Sequence, residues 1–226
     1  MKTLIYIGAN TGYGLYTLLE KRRFDVIYAF EPDPEMFEQL KAKYSHVSQW
    51  PEELQGNVPQ ITCINAACSK ETGPKTLYIT ENRVSSSLSD VNMLNQGERG
   101  HSGGTPAFKT IEIHSINLKE FCNIHNIKHI DMLVTDCQGS DYEILTTMKE
   151  FIDEKRIDEL FCETHKDGME LYIGLDNSFS LFRSLLGENY KISHLCYDQY
   201  HIDIDDLTLL NQMSRWNEWD TSWKLR

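Results

Sequence analysis

Thr3-Leu4-Ile5-Tyr6-Ile7-Gly8-Ala9-Asn10-Thr11-Gly12-Tyr13-Gly14 is the stretch on which the fold turns. Residues 3–7 form a short β-branched and aromatic run that ends on glycine, and residues 13–23 space Leu15, Leu18 and Leu19 along one side of a helix. The order is strand, tight loop, helix. Glycines there let the backbone turn sharply and approach a ligand, whose polar groups meet the free N–H groups that open the helix. The spacing departs from the dinucleotide pattern G-x-G-x-x-G, because counting from Gly8 the second and third glycines fall on Asn10 and Tyr13. Taken alone, such a turn is as consistent with a structural bend as with a ligand loop.

Outward from this unit the alternation continues. A second strand, Val26 to Phe30, stops at Glu31-Pro32-Asp33-Pro34, and Met36, Phe37 and Leu40 carry a second helix whose start suits the prolines. Strands are expected at 61–67 and 75–80, separated by the turn Glu71-Thr72-Gly73-Pro74. Residues 81–109 are rich in Ser, Gly and Asn without a sustained period, which marks a long loop and a candidate lid. The pattern then resumes with strand 110–116, helix 118–125, strand 130–135, helix 140–152, strand 157–162 and helix 178–187. Residues 190–197 and 204–210 read as two last strands, an antiparallel hairpin closing the sheet. The expected fold is α/β, Rossmann-like and doubly wound, with a mostly parallel sheet of about seven strands, in one domain spanning residues 1–226. In the segment 214–226, Trp216, Trp219 and Trp223 are spaced three and four apart, as on one helical face. Packing onto the protein's own core is the preferred reading; the alternatives are a contact between copies in a homo-oligomer and an acceptor wall.

Composition bounds the function. The 226 residues, 40% of them hydrophobic and 25% charged, are those of an ordinary globular protein. A formal charge of −12 repels polyphosphates, so neither nucleic acid nor anionic lipid is an expected partner. No apolar run is long enough to span a bilayer, and the N-terminal one enters the glycine loop without a cleavage site, so the expected location is cytoplasmic. Six scattered cysteines with no Cys-x-x-Cys pair read as buried free thiols rather than metal ligands; no metal is needed in principle, though the carboxylates Asp136 and Glu163 could hold a divalent ion.

Three strand ends carry candidate chemistry. Glu31, 19 residues beyond Gly12, stands where an acidic side chain accepts hydrogen bonds from both hydroxyls of a ribose. Asp136, in Thr135-Asp136-Cys137-Gln138-Gly139-Ser140-Asp141, ends a strand on the ligand side of the sheet and faces either a cofactor or an acceptor. Its competing role is a helix cap, which Ser140 or Asp141 could also fill. His165 ends the next strand in Glu163-Thr164-His165, and an imidazole there could deprotonate an acceptor hydroxyl as it attacks.

These stretches, in order, resemble the FkbM-type methyltransferases, a branch of the Rossmann-like S-adenosylmethionine-dependent enzymes. The matching segments are Ile7 to Gly12, Ala29 to Pro34, Asn65 to Cys68 and Ile130 to Leu145, within roughly residues 4–186. The resemblance implies that Gly8, Asn10 and Gly12 border the methionine part of S-adenosylmethionine, that Glu31 holds its ribose, and that Asn65 and Ala66 lie near the adenine. It also implies methylation of an oxygen on a sugar, glycan or other small molecule; the acceptor itself does not follow from motifs. Two positions depart from the family. Tyr6 replaces the usual Asp before the glycine loop, removing a contact to the cofactor's ammonium, and Val134 replaces a Lys, removing a catalytic or orienting cation. The expected reaction is direct displacement, with His165 and Asp136 as the catalytic candidates. The rival readings are an NAD-dependent oxidoreductase of doubly wound fold and a non-catalytic cofactor-binding module.

Overall fold

Strand β1 (Thr3–Ile7) lies inside the larger of two sheets and is followed by α1 (Tyr13–Lys21), β2 (Val26–Phe30), α2 (Pro34–Ser45) and β3 (Gln60–Ile64). The chain continues through β4 (Ala67–Ser69), β5 (Gly73–Thr80), β6 (Ala107–Asn117), α3 (Leu118–Ile124) and β7 (Ile130–Thr135). It then forms α4 (Asp141–Thr147), α5 (Lys149–Asp153), β8 (Ile157–His165), α6 (Phe179–Leu186), β9 (Tyr190–Tyr197), β10 (Tyr200–Ile202) and β11 (Glu218–Leu225). These elements come from a computed structural model, which describes residues 1–45, 58–93, 106–197, 200–202 and 218–226.

The larger sheet runs β10-β9-β11-β8-β7-β1-β2-β3. β3, β2, β1, β7 and β8 are mutually parallel, while β11 is antiparallel to both β8 and β9. Apart from the three-residue edge strand β10, this is a seven-stranded, mostly parallel Rossmann-like sheet closed by an antiparallel pair, as the alternation predicts. Successive strands are laid outward from β1 first through β2 and β3, then through β7 and β8. The strand order therefore reverses between β1 and β2 on one side and β7 on the other, opening a crevice at their carboxyl ends.

Helices cover both faces. Leu4, Ile27, Ala29, Met132 and Val134 pack with Leu15 and Leu19 of α1 and Leu40 and Tyr44 of α2. On the other face Ile5, Ile7, Leu133, Leu160 and Cys162 meet Phe121 of α3, Ile144 and Leu145 of α4, Phe151 of α5 and Phe182 of α6. Burial on both faces is why the parallel strands read as continuous apolar runs. Cys63, Cys68, Cys122, Cys137 and Cys162 are free thiols.

Three elements differ from the sequence reading. The run 61–67 breaks at Asn65-Ala66, after which β4 pairs parallel with β6 in a separate sheet of order β4-β6-β5. The helix expected over 140–152 is divided at Met148 into α4 and α5. The tryptophan segment is a strand rather than a helix: β11 supplies the antiparallel partner of β9. A spacing of four places Trp219 and Trp223 on one face under either period. They are 5% and 2% exposed and join the core with Phe179, Phe182 and Tyr190, the preferred packing. The expected strand 204–210 and Trp216 lie outside the described residues, as do residues 94–105 of the candidate lid, whose last residues, 107–109, belong to β6 rather than to a loop.

Candidate active site

The loop after β1 is shaped by backbone bonds to its neighbour. Gly8 and Ala9 N–H both donate to the Phe30 carbonyl, at 3.1 and 2.9 Å, which folds the loop over the end of β2. Gly8 has φ +80, and a Cβ there would stand 1.9 Å from the Asp136 carbonyl oxygen of the adjacent strand end. Only glycine satisfies both constraints. Gly12 serves the fold in a similar way: its carbonyl accepts from the Tyr44 hydroxyl at 2.7 Å, and a Cβ would stand 2.6 Å from that ring. Tyr6 explains a further glycine, because its hydroxyl occupies the position 2.4 Å from a Cβ on Gly14. Val134 is 2% exposed in the apolar layer beneath α1 and α2.

Glu31 begins the turn after β2 and is 5% exposed. One carboxylate oxygen accepts from the Asn10 N–H at 2.7 Å and the other from the Asp33 N–H at 2.8 Å. Burial pushes its carboxyl up to about 7, against the pull of these two bonds. Asp33 in turn holds the start of α2 through the Glu35 N–H at 2.9 Å and pairs with Arg83 at 2.7 Å. Arg83 also reaches Glu35 at 2.6 Å, and its carbonyl accepts from the Asn10 side-chain amide at 3.2 Å. The beginning of the segment after β5 is thus clamped to the glycine loop and to the acidic turn.

Across the crevice, Asp136 N–H donates to the last carbonyl of β1, Ile7, at 3.1 Å. Its side chain accepts from the Gln138 amide at 3.0 Å, and the same amide nitrogen donates to Glu163 at 2.8 Å. Asp141 does not cap α4 in the simple sense: its two oxygens accept from the Cys137 N–H at 3.3 Å, and Asn177 donates to one of them at 3.0 Å. Ser140 makes no side-chain cap bond. Burial raises the carboxyls of Asp136, Asp141 and Glu163 and, on β11, Glu218 and Asp220; the acidic neighbours of Asp141, Glu163, Glu218 and Asp220 raise those four further, while the Gln138 hydrogen bond lowers Asp136.

Gly8, Asn10, Glu31 and Asp136 line one cleft together with Pro32, Ala67, Cys68, Arg83, Ser86, Ser87, Cys137 and Gln138. Gly12 is not in the lining and packs against Leu40 and Tyr44 of α2. Asn65 and Ala66 are not in the lining: the Asn65 amide donates to the Glu31 and Pro32 carbonyls at 2.9 and 3.2 Å, and the next two residues, Ala67 and Cys68, face the cleft instead. His165 is also outside the lining. It is fully buried at the end of β8, stacked on Tyr172 at 6.2 Å, and neither ring nitrogen has a hydrogen-bond partner among the described residues. Burial lowers it to about 4, so the imidazole is neutral at pH 7. Arg83, Ser87 and Gln138 were not legible as site residues. Gln138 carried a signal in its place two residues past Asp136; Arg83 and Ser87 lie in an aperiodic loop and carried none.

No helix of the described residues is long and apolar enough to cross a membrane. No curated protein matches the chain. Among solved structures, a methyltransferase FkbM from Methylobacillus flagellatus KT superposes with a TM-score of 0.54 at 13% identity, over 98% of this chain and 43% of its own. This chain therefore spans less than half of that protein. An rRNA methylase from Streptococcus thermophilus gives a TM-score of 0.47 at 8% identity, over 100% of this chain and 87% of its own. Magnesium protoporphyrin IX methyltransferase from Synechocystis PCC 6803, with bound SAM, gives 0.46 at 9%, over 99% and 69%. At such identities the likeness concerns the fold. The methyltransferase FkbM domain itself is matched over residues 7–191, and the chain belongs to that family.

Proposed function

We infer that the protein transfers a methyl group from S-adenosylmethionine to a hydroxyl on a sugar, glycan or other small metabolite. The observation that carries the reading is Glu31: a buried carboxylate at the end of β2, beside the glycine loop, each oxygen already fixed by one backbone N–H. Each oxygen keeps acceptor capacity for one ribose hydroxyl. The residues fit the cofactor in a second respect, since Gly8, Asn10 and Asp136 bring backbone and side-chain polar groups to the same cleft wall as Glu31. Glu31 would hold the ribose, and Gly8, Asn10 and Asp136 would border the amino-acid end. The cofactor, when bound, supplies an electrophilic methyl group.

The chain's own part is to position the acceptor and remove its proton. Bringing two reactants into attack geometry contributes several kcal/mol, up to roughly 7–11. Asp136 lines the cleft and accepts the acceptor's hydrogen bond directly. His165, the other candidate base, acts only if the Tyr172 ring that stacks on it moves aside. Residues 81–93, clamped by Arg83, serve as the lid. The antiparallel β11 and the glycine spacing leave the oxidoreductase reading without support; a binding module without activity is the remaining rival.

Mass spectrometry of hydroxylated sugars and glycans incubated with the protein and S-adenosylmethionine tests the reading. A gain of one methyl, lost in Asp136→Asn, is the expected result. Cofactor binding without transfer to any acceptor would favour the binding module, and absence of S-adenosylhomocysteine binding would refute both. His165→Gln distinguishes the bases: a general base there costs at least roughly tenfold in rate with unchanged cofactor affinity.

A further inference from the structure

Gln138 is the point where three separate segments meet. Its backbone has φ +52, a left-handed conformation that a non-glycine residue adopts only when its surroundings hold it there. Its carbonyl accepts from Ser87 Oγ at 2.7 Å, and the next N–H, of Gly139, donates to Glu163 at 3.2 Å. The side-chain oxygen accepts from the Tyr172 hydroxyl, while the nitrogen donates to both Asp136 Oδ1 and Glu163 Oε1. This arrangement decides the orientation of the amide. Rotated by half a turn, it would present its oxygen to two carboxylate oxygens.

Tyr172 is itself held in place. It is fully buried, and its ring fills the space 2.7 Å from a Cβ on Gly139. Its strand-like segment pairs with the residues after β5: the Asn92 N–H donates to the Leu171 carbonyl at 2.8 Å and the Ile173 N–H to that of Asp90 at 2.9 Å. Of the two Asp136 carboxylate oxygens, Oδ1 is taken by Gln138, and Oδ2 accepts no hydrogen bond from the described residues.

We propose that Gln138 is a positioning residue for the methyl-transfer reaction: with its amide oriented by Tyr172, it holds the Asp136 carboxyl fixed by one oxygen, leaving the other for the acceptor hydroxyl. The inference rests on the reading of the cleft as a methyl-transfer site. The groups that surround Asp136 make the role necessary. Tyr6 faces it from β1, Glu31 from the end of β2, Asp141 from α4, Glu163 from β8, Tyr172 from the loop after β8, and Glu218 and Asp220 from β11. All of them are acids, so each either leaves Asp136 unaided or opposes its charge. The Gln138 amide is the group that favours the ionised form, against burial.

The test follows the Asp136 carboxyl directly, in the full chain labelled with carboxyl-¹³C aspartate, with Asp136→Asn identifying its resonance. Gln138→Met keeps the side-chain length and removes the donor; Tyr172→Phe keeps the ring that packs on Gly139 and releases the amide. Loss of a hydrogen bond to the ionised form raises a carboxyl, so the Asp136 titration is expected to move up by about one pH unit in Gln138→Met and by less, in the same direction, in Tyr172→Phe. An unmoved Asp136 titration in folded Gln138→Met overturns the proposal, whether or not cofactor affinity falls. If that variant does not fold, Tyr172→Phe decides alone, and its unmoved titration overturns the proposal equally. Failure of the wild-type chain to bind S-adenosylhomocysteine would refute the methyl-transfer reading instead, and the two failures are distinct because the titration needs no ligand.

Discussion

Glu31→Gln removes the charge behind the ribose contact, and the structure supplies both the size and the pH dependence of its effect. The wild-type carboxyl is pushed up to about 7, chiefly by burial, so near neutral pH the free protein holds a mixture of protonated and ionised Glu31. Ribose hydroxyls donate to the ionised form, so binding is linked to loss of that proton. The affinity for S-adenosylhomocysteine should therefore fall as pH drops below 7, by roughly 25-fold between pH 7.5 and pH 5.5 for one group titrating at 7. At pH 8, where the wild-type carboxylate is ionised, Glu31→Gln replaces charge-assisted bonds worth about 1.5–3 kcal/mol, and affinity drops roughly tenfold to over a hundredfold. The same substitution removes the pH slope due to this residue. Asp141 and Glu218 also titrate at about 7 and are present in both proteins, so the difference in slope isolates Glu31. Calorimetry from pH 5.5 to 8.5 on both proteins is the assay. Identical slopes, or equal affinities at pH 8 in a folded variant, would refute the assignment of Glu31 to the ribose.

Three further outcomes are expected. Gly8→Ala drives a Cβ to 1.9 Å from the Asp136 carbonyl at φ +80 and should cost about 3 kcal/mol or more, with loss of S-adenosylhomocysteine binding; a normal melting temperature would show that the loop relaxes freely. Arg83→Ala leaves the 2%-exposed Asp33 carboxylate without its cation and should cost about 1–3 kcal/mol in denaturant titration, with faster amide exchange over residues 84–92; unchanged exchange would remove the clamp. Stability should also fall as pH rises. Folded Glu31, Asp141 and Glu218 retain protons up to about 7 that the unfolded chain releases above about 4, so each contribution is complete below the unfolded value and lost by about 7; His165, lowered to about 4, acts in the opposite sense between about 4 and about 6.5, but singly. Calorimetric melting should be higher at pH 5 than at pH 8, and the reverse order would contradict the burial of these carboxyls.

What the sequence by itself determined is what depends on local period and local chemistry. Runs such as Thr3–Ile7 and Val26–Phe30 read as strands buried on both faces, the leucines of α1 define one helical side, and a glycine loop followed by Glu31 at a strand end marks a candidate ligand site without any knowledge of contacts. Periodicity could not assign the tryptophans of β11, because a spacing of four keeps Trp219 and Trp223 on one face in a helix and in a strand alike; pairing with β8 and β9 settles it. Tertiary structure alone decided which side chains meet. Arg83 reaches Asp33 across 50 residues, Ser87 reaches Gln138 across 51 and Tyr172 reaches Gln138 across 34. His165 lies on the expected edge of the sheet, yet Tyr172 stacks on its ring, while Gln138, a neutral residue in the same strand-end loop as Asp136, joins two carboxylates. Strand pattern establishes that a residue stands at a carboxyl end, but its partners are fixed by register and by the loops that cross the crevice, and these contacts between distant segments leave no period in the chain.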